Sequence, residues 1–194
     1  PAIALRPRQR AKAVSALPAW RLRRGFAVAA LLCWLAAAAQ AQTMFNAATY
    51  NLRLNLAQDG PNAWPQRKEA VKALIGYHEL DLLGTQEGLP EQIDDLAAMA
   101  EFAYVGVGRD DGKRGGEHAA IFYRRARFEL LANGDFWLSE TPDKPGKGWD
   151  AKCCNRIASW AKLRERSSGI DFFVFNVHFD HEGVVARRES AHLM

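Results

Sequence analysis

Short apolar runs alternate with amphipathic segments along residues 44–100. Residues 45–52 and 80–85 are predicted to be strands, because each is a short, mostly apolar run bounded by polar or turn-forming residues. Helices are predicted to begin at Trp64-Pro65 and at Pro90, since proline is favoured in the first turn of a helix and apolar residues at helical spacing follow. This alternation of strands and helices predicts an α/β fold.

From residue 104 onward, the pattern changes to strands joined by turns. Strands are predicted at residues 104–108, 117–124, 128–131, 136–139, 156–165 and 170–180. Asn133-Gly134 is a favoured two-residue turn, so a hairpin is expected around it. Residues 141–155 contain two prolines and two glycines and are predicted to form a long loop of functional interest. Together, these elements predict two sheets packed face to face with helices outside them.

Residues 172–181 have the most informative pattern of any predicted strand. One face comprises Phe173, Phe175, Val177 and Phe179, and the other comprises Val174, Asn176, His178 and Asp180. The first face is predicted to pack into the core. The second ends in an amide, an imidazole and a carboxylate, which are costly to bury unless they bind each other, a metal or a substrate. This second face is therefore a candidate functional surface.

Glu87 is a second candidate site residue. It follows the apolar strand predicted at residues 80–85, so a carboxylate is delivered to the carboxyl end of a strand. Open α/β folds bind their ligands at such strand ends.

Residues 1–41 have the pattern of a secretory leader. Three arginines between positions 21 and 24 precede 14 uncharged residues at 26–39, and Ala39-Gln40-Ala41 supplies the small residues of a cleavage site. The apolar run is shorter than the roughly 20 residues that a membrane span needs. We therefore expect cleavage near Ala41/Gln42, export to the periplasm or the medium, and no stable membrane span in the mature domain, residues 42–194.

The basic character of the sequence comes from this leader. The whole sequence has a formal net charge of +4, but residues 1–41 hold seven Lys or Arg and no acidic residue, which leaves residues 42–194 at −3. A mildly acidic domain has no broad electrostatic footprint for nucleic acid. Any phosphate must therefore be held locally, most simply through a metal. Cys153 and Cys154 are adjacent, and adjacent cysteines seldom bridge each other, so no disulfide is expected.

Two enzyme families use strings like the one at the end of the last strand. His178-x-Asp180-His181-x-Gly183 matches part of the HxHxDHxG signature of the metallo-β-lactamases, in which histidines bind zinc. Asn176 stands where that signature has its first histidine, and the loss of one of three imidazoles weakens a zinc site. A zinc hydrolase is therefore the less favoured alternative.

The other family accounts for many more residues, in register along positions 44–194. The matching segments are TYNLR at 49–53, Trp64 with Arg67, LLGTQE at 82–87, GVGRDDG at 106–112, GEHAAIFY at 116–123, FWLSETP at 136–142, GWD at 148–150, RIASWA at 156–161 and NVHFDH at 176–181. On these segments the chain resembles the endonuclease/exonuclease/phosphatase superfamily of Mg²⁺-dependent phosphoesterases, and FWLSETP and GWD look most like a bacterial, often exported, branch. The resemblance implies a four-layer α-β-β-α sandwich, two mixed or antiparallel sheets flanked by helices, of which this chain holds about the first two thirds.

The resemblance also implies roles for individual residues. Glu87 matches the metal-binding glutamate, and Asn51 matches the asparagine that helps to position the metal and the phosphate. Mg²⁺ is the expected cofactor, with Mn²⁺ as an alternative, because hard oxygen ligands suit both ions. His178 matches the histidine that contacts the phosphate. Glu117 matches the glutamate that pairs with this histidine, which would favour the charged imidazolium.

Other matches concern the phosphate and the rim of the site. Arg156 stands where related proteins place a phosphate-contacting side chain, while Asp180, His181 and Arg109 are expected around the ligand-binding residues. The substrate is expected to be a phosphate ester and the protein a monomer. Superfamily members continue with a Gly-Asp-x-Asn segment and a Ser-Asp-His segment, and neither occurs in this sequence. We therefore expect the chain by itself to be inactive and the intact protein to be a hydrolase, with non-catalytic binding of a phosphorylated ligand as the alternative.

Overall fold

The computed structural model describes residues 44–194, so the predicted leader and its cleavage site lie outside the described residues. The strands are β1 (Ala47–Asn51), β2 (Leu82–Gln86), β3 (Phe102–Val105), β4 (Ile121–Arg124), β5 (Phe128–Trp137), β6 (Ile157–Glu165) and β7 (Asp171–Val177). The helices are α1 (Trp64–Tyr77), α2 (Pro90–Ala97) and α3 (Val184–Leu193), and a 3-10 segment spans Ala57–Asn62. Among these residues, no helix combines the length and apolar character needed to cross a bilayer.

The strands form two sheets. The first has the order β1-β2-β4-β3, with β1 and β2 parallel and the other neighbours antiparallel. The second is antiparallel, with the order β5-β6-β7. Because β1 and β2 are parallel, with Asn51 opposite Gln86, their carboxyl ends lie at the same edge of the first sheet.

The central strands of the first sheet, β2 and β4, are buried on both faces, which explains their nearly continuous apolar runs. Leu83 and Phe122 pack with Val71 and Ile75 of α1 and with residues of α2 in one core cluster. Their neighbours along the strands face the second sheet, where Leu82, Ile121, Tyr123, Phe128, Ala161 and Leu163 form a second cluster. Successive side chains of a strand point to opposite faces, so each central strand serves both cores. The helix and sheet layers agree with the predicted α/β sandwich.

The hairpin predicted at Asn133-Gly134 is wrong. β5 runs without a turn from Phe128 to Trp137, and only its register shifts, between Leu130 and Ala132. Glycine is needed at position 134 for another reason, because a Cβ there would lie 2.8 Å from the indole nitrogen of Trp160 on β6. The hairpin predicted between residues 156–165 and 170–180 is confirmed by the antiparallel pairing of β6 and β7.

The predicted orientation of β7 is also wrong. Phe173 and Phe175 are 58% and 47% exposed, while Phe172 and Val174 pack in the core between the sheets. Both faces of this strand are rich in apolar residues, so the alternation alone could not decide which face is buried. The polar residue Asn176 lies on the inner face and decides the orientation through its hydrogen bonds.

Asn176 joins the two sheets. Its Nδ2 donates to the carbonyls of Thr85 (2.7 Å) and Ala120 (2.9 Å), and its Oδ1 accepts a bond from Gln86 Nε2 (2.8 Å). The side chain approaches β2 closely at Gly84, where a Cβ would lie 2.8 Å from Asn176 Oδ1. A buried amide with all of these partners costs little to bury and fixes the register of β7 against the first sheet.

Candidate active site

The two parallel strands deliver a carboxylate and an amide to one edge of the first sheet. Asn51 ends β1, Glu87 follows β2 directly, and Asn51 Nδ2 donates to Glu87 Oε1 at 2.8 Å. The backbone N–H of Leu54 donates to Glu87 Oε2 at 3.2 Å. Glu87 and Arg53 have φ values of 60° and 59°. Left-handed backbone is uncommon for residues other than glycine and is concentrated at functional sites.

Five of the predicted site residues line one narrow cleft: Glu87, Arg109, Glu117, Arg156 and His178. They come from four places in the fold: the end of β2, the irregular segment before β4, the start of β6 and the end of β7. His118, Ala119 and Ile157 complete the lining. The structure therefore brings together residues that are up to 91 positions apart in the sequence.

Glu117 is bound by Arg109 rather than by His178. Both guanidinium Nη atoms of Arg109 lie 2.7 Å from the two carboxylate oxygens of Glu117, and both side chains are largely buried. The backbone N–H of Arg109 donates to the carbonyl of Glu117 at 3.0 Å, which closes the glycine-rich turn between them. The Arg109 carbonyl accepts bonds from Trp137 Nε1 and Asn155 Nδ2. Burial raises the pKa of Glu117, against the opposing effect of Arg109.

His178 does not form the hydrogen bond to Glu117 that the resemblance implied. Its Nδ1 is 4.0 Å from Glu117 Oε2, which is beyond hydrogen-bond distance, and this buried atom has no partner among the described residues. Burial lowers the pKa of His178, and the nearby positive charge of Arg156 lowers it further. The structure therefore does not support the expectation that Glu117 favours the charged imidazolium. Glu117 binds Arg109 instead, and the pKa of His178 lies below its ordinary value.

Asp180 and His181 bind Arg156. Arg156 Nε donates to Asp180 Oδ2 at 3.3 Å, and Nη2 donates to His181 Nδ1 at 2.8 Å. The Arg156 side chain is only 6% exposed, and that of Asp180 1%. Burial opposes the charged form of Asp180, but bonds from the N–H groups of Gly183 and Glu182 and from Arg156 hold its pKa below the usual range.

Glu87 and Asn51 fit a Mg²⁺ ion. Each carboxylate oxygen of Glu87 accepts one hydrogen bond, and Asn51 Oδ1 accepts one from the N–H of Arg53 (2.8 Å), so every one of these oxygens keeps a lone pair. Mg²⁺ takes oxygen ligands, needs only one or two carboxylates and keeps several waters. Mn²⁺ accepts the same oxygen donors.

A second group of potential metal ligands is already engaged. Atoms of Cys153, Asp180 and His181 lie within 4.8 Å of one another. However, Cys153 is joined to Cys154 by a disulfide, and the other two residues hold Arg156. We therefore assign no metal there. Asn176, the position of the missing histidine in the zinc signature, is committed to the bonds between the sheets, which argues against the zinc-hydrolase alternative.

The Cys153–Cys154 disulfide contradicts the expectation that these residues do not bridge. Residues 151–156 have no regular secondary structure. The two side chains can therefore turn toward each other, as they could not in a strand, where neighbouring side chains point to opposite faces.

Sequence reasoning missed two features of the cleft. His118 is 4% exposed, and its Nδ1 lies 3.2 Å from the Gly88 carbonyl, so it fastens the segment before β4 to the loop after β2. The capture of Glu117 by Arg109 was also missed. The only signal for it was the position of Arg109 at the start of the glycine-rich turn, which brings the two residues together.

No protein-family model matches the sequence. An endonuclease/exonuclease/phosphatase of known structure from Bacteroides vulgatus is 47% identical, with a TM-score of 0.77, over 78% of this chain and 59% of its own. The mannosyl-6-phosphatase Bt3783 of Bacteroides thetaiotaomicron is 46% identical, with a TM-score of 0.75, over 77% of this chain and 57% of its own.

A more distant relative is an uncharacterised protein of Acanthamoeba polyphaga mimivirus, which is 26% identical over 132 residues, 60% of this chain and 46% of the relative. The chain thus spans less than two thirds of each of these proteins. The sequence identity to the Bacteroides proteins, the two-sheet fold and the quoted motifs agree with one another. The chain belongs to the endonuclease/exonuclease/phosphatase superfamily.

Proposed function

We propose that the protein is a Mg²⁺-dependent hydrolase of phosphate esters. The observation that carries this proposal is the composition of the cleft. Glu87, with Asn51 bound to it, faces the same space as Arg156 and His178. Oxygen ligands for a hard cation and donors for an anion are the two halves of a phosphoryl-transfer site.

Each half has a distinct task. Glu87 and Asn51 would hold Mg²⁺, which neutralises charge on the phosphoryl oxygens when it is bound. Arg156 donates hydrogen bonds to the phosphate. His178, whose pKa is lowered by burial and by Arg156, can give or take one hydrogen bond with the phosphate or with a bridging oxygen. Arg109 binds both carboxylate oxygens of Glu117 and fixes this side chain, so that it does not compete for Arg156.

The general base is expected outside this chain. The sequence contains no Gly-Asp-x-Asn and no Ser-Asp-His segment, which in the superfamily activate water and complete the site. We therefore propose that residues 42–194 alone bind Mg²⁺ and phosphate weakly and do not turn over, and that activity belongs to an intact protein with both segments. If the intact protein lacks them, binding of a phosphorylated ligand is the better function.

We propose a sugar phosphate monoester as the substrate class. This rests on the 46% identity to a mannosyl-6-phosphatase and on the net charge of −3 in residues 42–194, which disfavours a polyanionic substrate.

A substrate panel tests this proposal. Release of inorganic phosphate by the intact protein should be fastest with mannose 6-phosphate and other hexose phosphates. Diester cleavage is measured with a dinucleotide as substrate and an added phosphatase that releases phosphate from the cleaved product. Phosphate release in this coupled assay should be slow. Faster cleavage of the diester would contradict the substrate class while leaving the reaction type intact.

We also propose that the protein is exported, on the pattern of residues 1–41. N-terminal sequencing of protein recovered from the periplasm of an expressing bacterium should begin at Gln42. An uncleaved amino terminus on active protein would contradict the assignment.

A further inference from the structure

The side chain of Arg156 is bound by the turn between β7 and α3, which contains Asp180 and His181. Arg156 itself precedes β6 directly. Its Nε is bound to Asp180, and one N–H of its Nη2 is bound to His181. A guanidinium has five N–H donors in a planar fork, so its other donors remain for the cleft that Arg156 lines.

The turn that holds Arg156 is itself fixed. Asp180 Oδ1 accepts the backbone N–H groups of Glu182 (2.9 Å) and Gly183 (2.6 Å). The Asp180 carbonyl accepts a bond from Arg187 Nη1 at 3.1 Å. The turn is thus tied both to its own backbone and to the first turns of α3.

The long loop adds a further anchor to the same helix. Asp150 accepts the N–H groups of Val185 (3.1 Å) and Ala186 (2.6 Å), at the start of α3. Gly183 packs against this carboxylate, since a Cβ there would lie 2.6 Å from Asp150 Oδ1. The loop that contains residues 141–155 therefore meets the turn that binds Arg156.

The contact with His181 defines one tautomer. A guanidinium can only donate, so His181 Nδ1 must be unprotonated where it meets Arg156. The ring proton is then on Nε2, which lies 3.4 Å from Glu182 Oε1. In this contact His181 accepts through Nδ1 and so orients the guanidinium plane.

We infer that Asp180 and His181 are positioning residues that aim the free N–H groups of Arg156 at the phosphate. This inference rests on the proposed function of the cleft. An arginine side chain loses much conformational entropy when it binds an anion. A guanidinium that other residues already orient loses less of this entropy on binding. Asp180 and His181 therefore raise the affinity for phosphate without contacting it.

The test is a double-mutant cycle in the intact protein. Affinity for inorganic phosphate is measured by calorimetry with saturating Mg²⁺, and kcat and KM are measured with mannose 6-phosphate. Asp180→Asn and His181→Ala should each weaken phosphate binding about tenfold, as expected for loss of one hydrogen bond to a charged group. In an Arg156→Met background, neither should weaken it further, because the residue they position is gone.

Two further variants separate positioning from a structural role. His181→Asn should restore most of the affinity, since an amide oxygen can take the place of Nδ1, and His192→Ala, an exposed histidine on α3, should have no effect. Unchanged phosphate affinity in His181→Ala, or a second tenfold loss in the Arg156→Met background, would overturn the inference. A wild-type protein that neither binds phosphate nor releases it would instead overturn the proposed function, and the inference with it.

Discussion

Replacing Asn176 with alanine tests whether one buried amide joins the two sheets. The substitution removes three hydrogen bonds, to Thr85, Ala120 and Gln86. Each contributes roughly 1 kcal/mol, and a buried carbonyl left without a partner costs roughly 1–3 kcal/mol. The Ala120 carbonyl keeps the N–H of Thr85, so the Thr85 carbonyl bears most of that loss. We expect a total of about 4–6 kcal/mol, a large share of the stability of a domain of this size.

The assay is equilibrium unfolding in urea at pH 7 with residues 42–194, followed by tryptophan fluorescence. Phe173→Ala is the matched control, because it removes a larger side chain from the same strand but from the exposed face. The control should cost about 1 kcal/mol or less. Similar costs for the two variants would refute the assignment of Asn176 to the inner face and its role in joining the sheets.

Three further predictions concern other local features. Gly84→Ala should lower the free energy of unfolding by roughly 1–3 kcal/mol through overpacking. In the Asn176→Ala background the loss should be much smaller, because the obstructing side chain is gone. Additive losses in the double variant would show that the crowding lies elsewhere. Bonds from Ser168 and Ser167 lower the pKa of Glu165 to about 2 from 4.5, so its stabilising effect is present above pH 4.5 and is lost as the pH falls toward 2. The destabilisation by Glu165→Gln in urea unfolding should therefore be smaller at pH 3 than at pH 6, and a larger effect at pH 3 would contradict the sign. Thiol titration of unfolded residues 42–194 should detect no free thiol before reduction and two after it, and two at the start would exclude the Cys153–Cys154 bridge.

The parts of the site that depend on strand ends could be predicted from the sequence. The strand and helix alternation of residues 44–100 indicated an α/β arrangement, and β1 and β2 are indeed neighbours. Glu87 follows from that arrangement, since α/β folds keep their sites at the carboxyl ends of strands. The resemblance to the superfamily supplied Asn51, His178, Glu117 and Arg156, which no local pattern could have brought together with it.

The features that depend on contacts between residues far apart in the sequence could not be predicted. Alternation along residues 172–181 gives two faces but not which one is inside, and the deciding contacts of Asn176 come from residues about 90 positions away. The pair Asn133-Gly134 predicts a turn, but in the structure Gly134 lies within a strand and makes room for the side chain of Trp160.

The electrostatics of the cleft were misjudged for a related reason. Glu117 has two possible hydrogen-bond partners, Arg109 and His178, and the sequence pattern does not rank them. The guanidinium binds the carboxylate through two bonds at 2.7 Å, whereas the imidazole is left at 4.0 Å. Bidentate charge-assisted hydrogen bonds are stronger than a single bond to an imidazole, so Glu117 binds Arg109 rather than His178.

The lowered pKa of His178 has a consequence for the pH dependence of activity. Because burial and Arg156 lower its pKa, the neutral ring should persist below pH 6.5. If the neutral form is the active one, the acid limb of kcat/KM that is due to His178 should lie below pH 6.5, and it should disappear in His178→Gln. An acid limb above pH 6.5 that His178→Gln abolishes would contradict this charge assignment.

The central claim is that Glu87 holds a divalent metal in a phosphoesterase cleft. Its most direct test is the rate of phosphate release from mannose 6-phosphate by the intact protein, with Mg²⁺ and after chelation, for wild type, Glu87→Gln and the exposed control Glu101→Gln. Loss of a metal ligand should reduce the rate by on the order of 100-fold or more, and chelation should abolish the activity of wild type and control alike. A Glu87→Gln protein that turns over at the wild-type rate, or a wild-type rate that is indifferent to chelation, would contradict the claim.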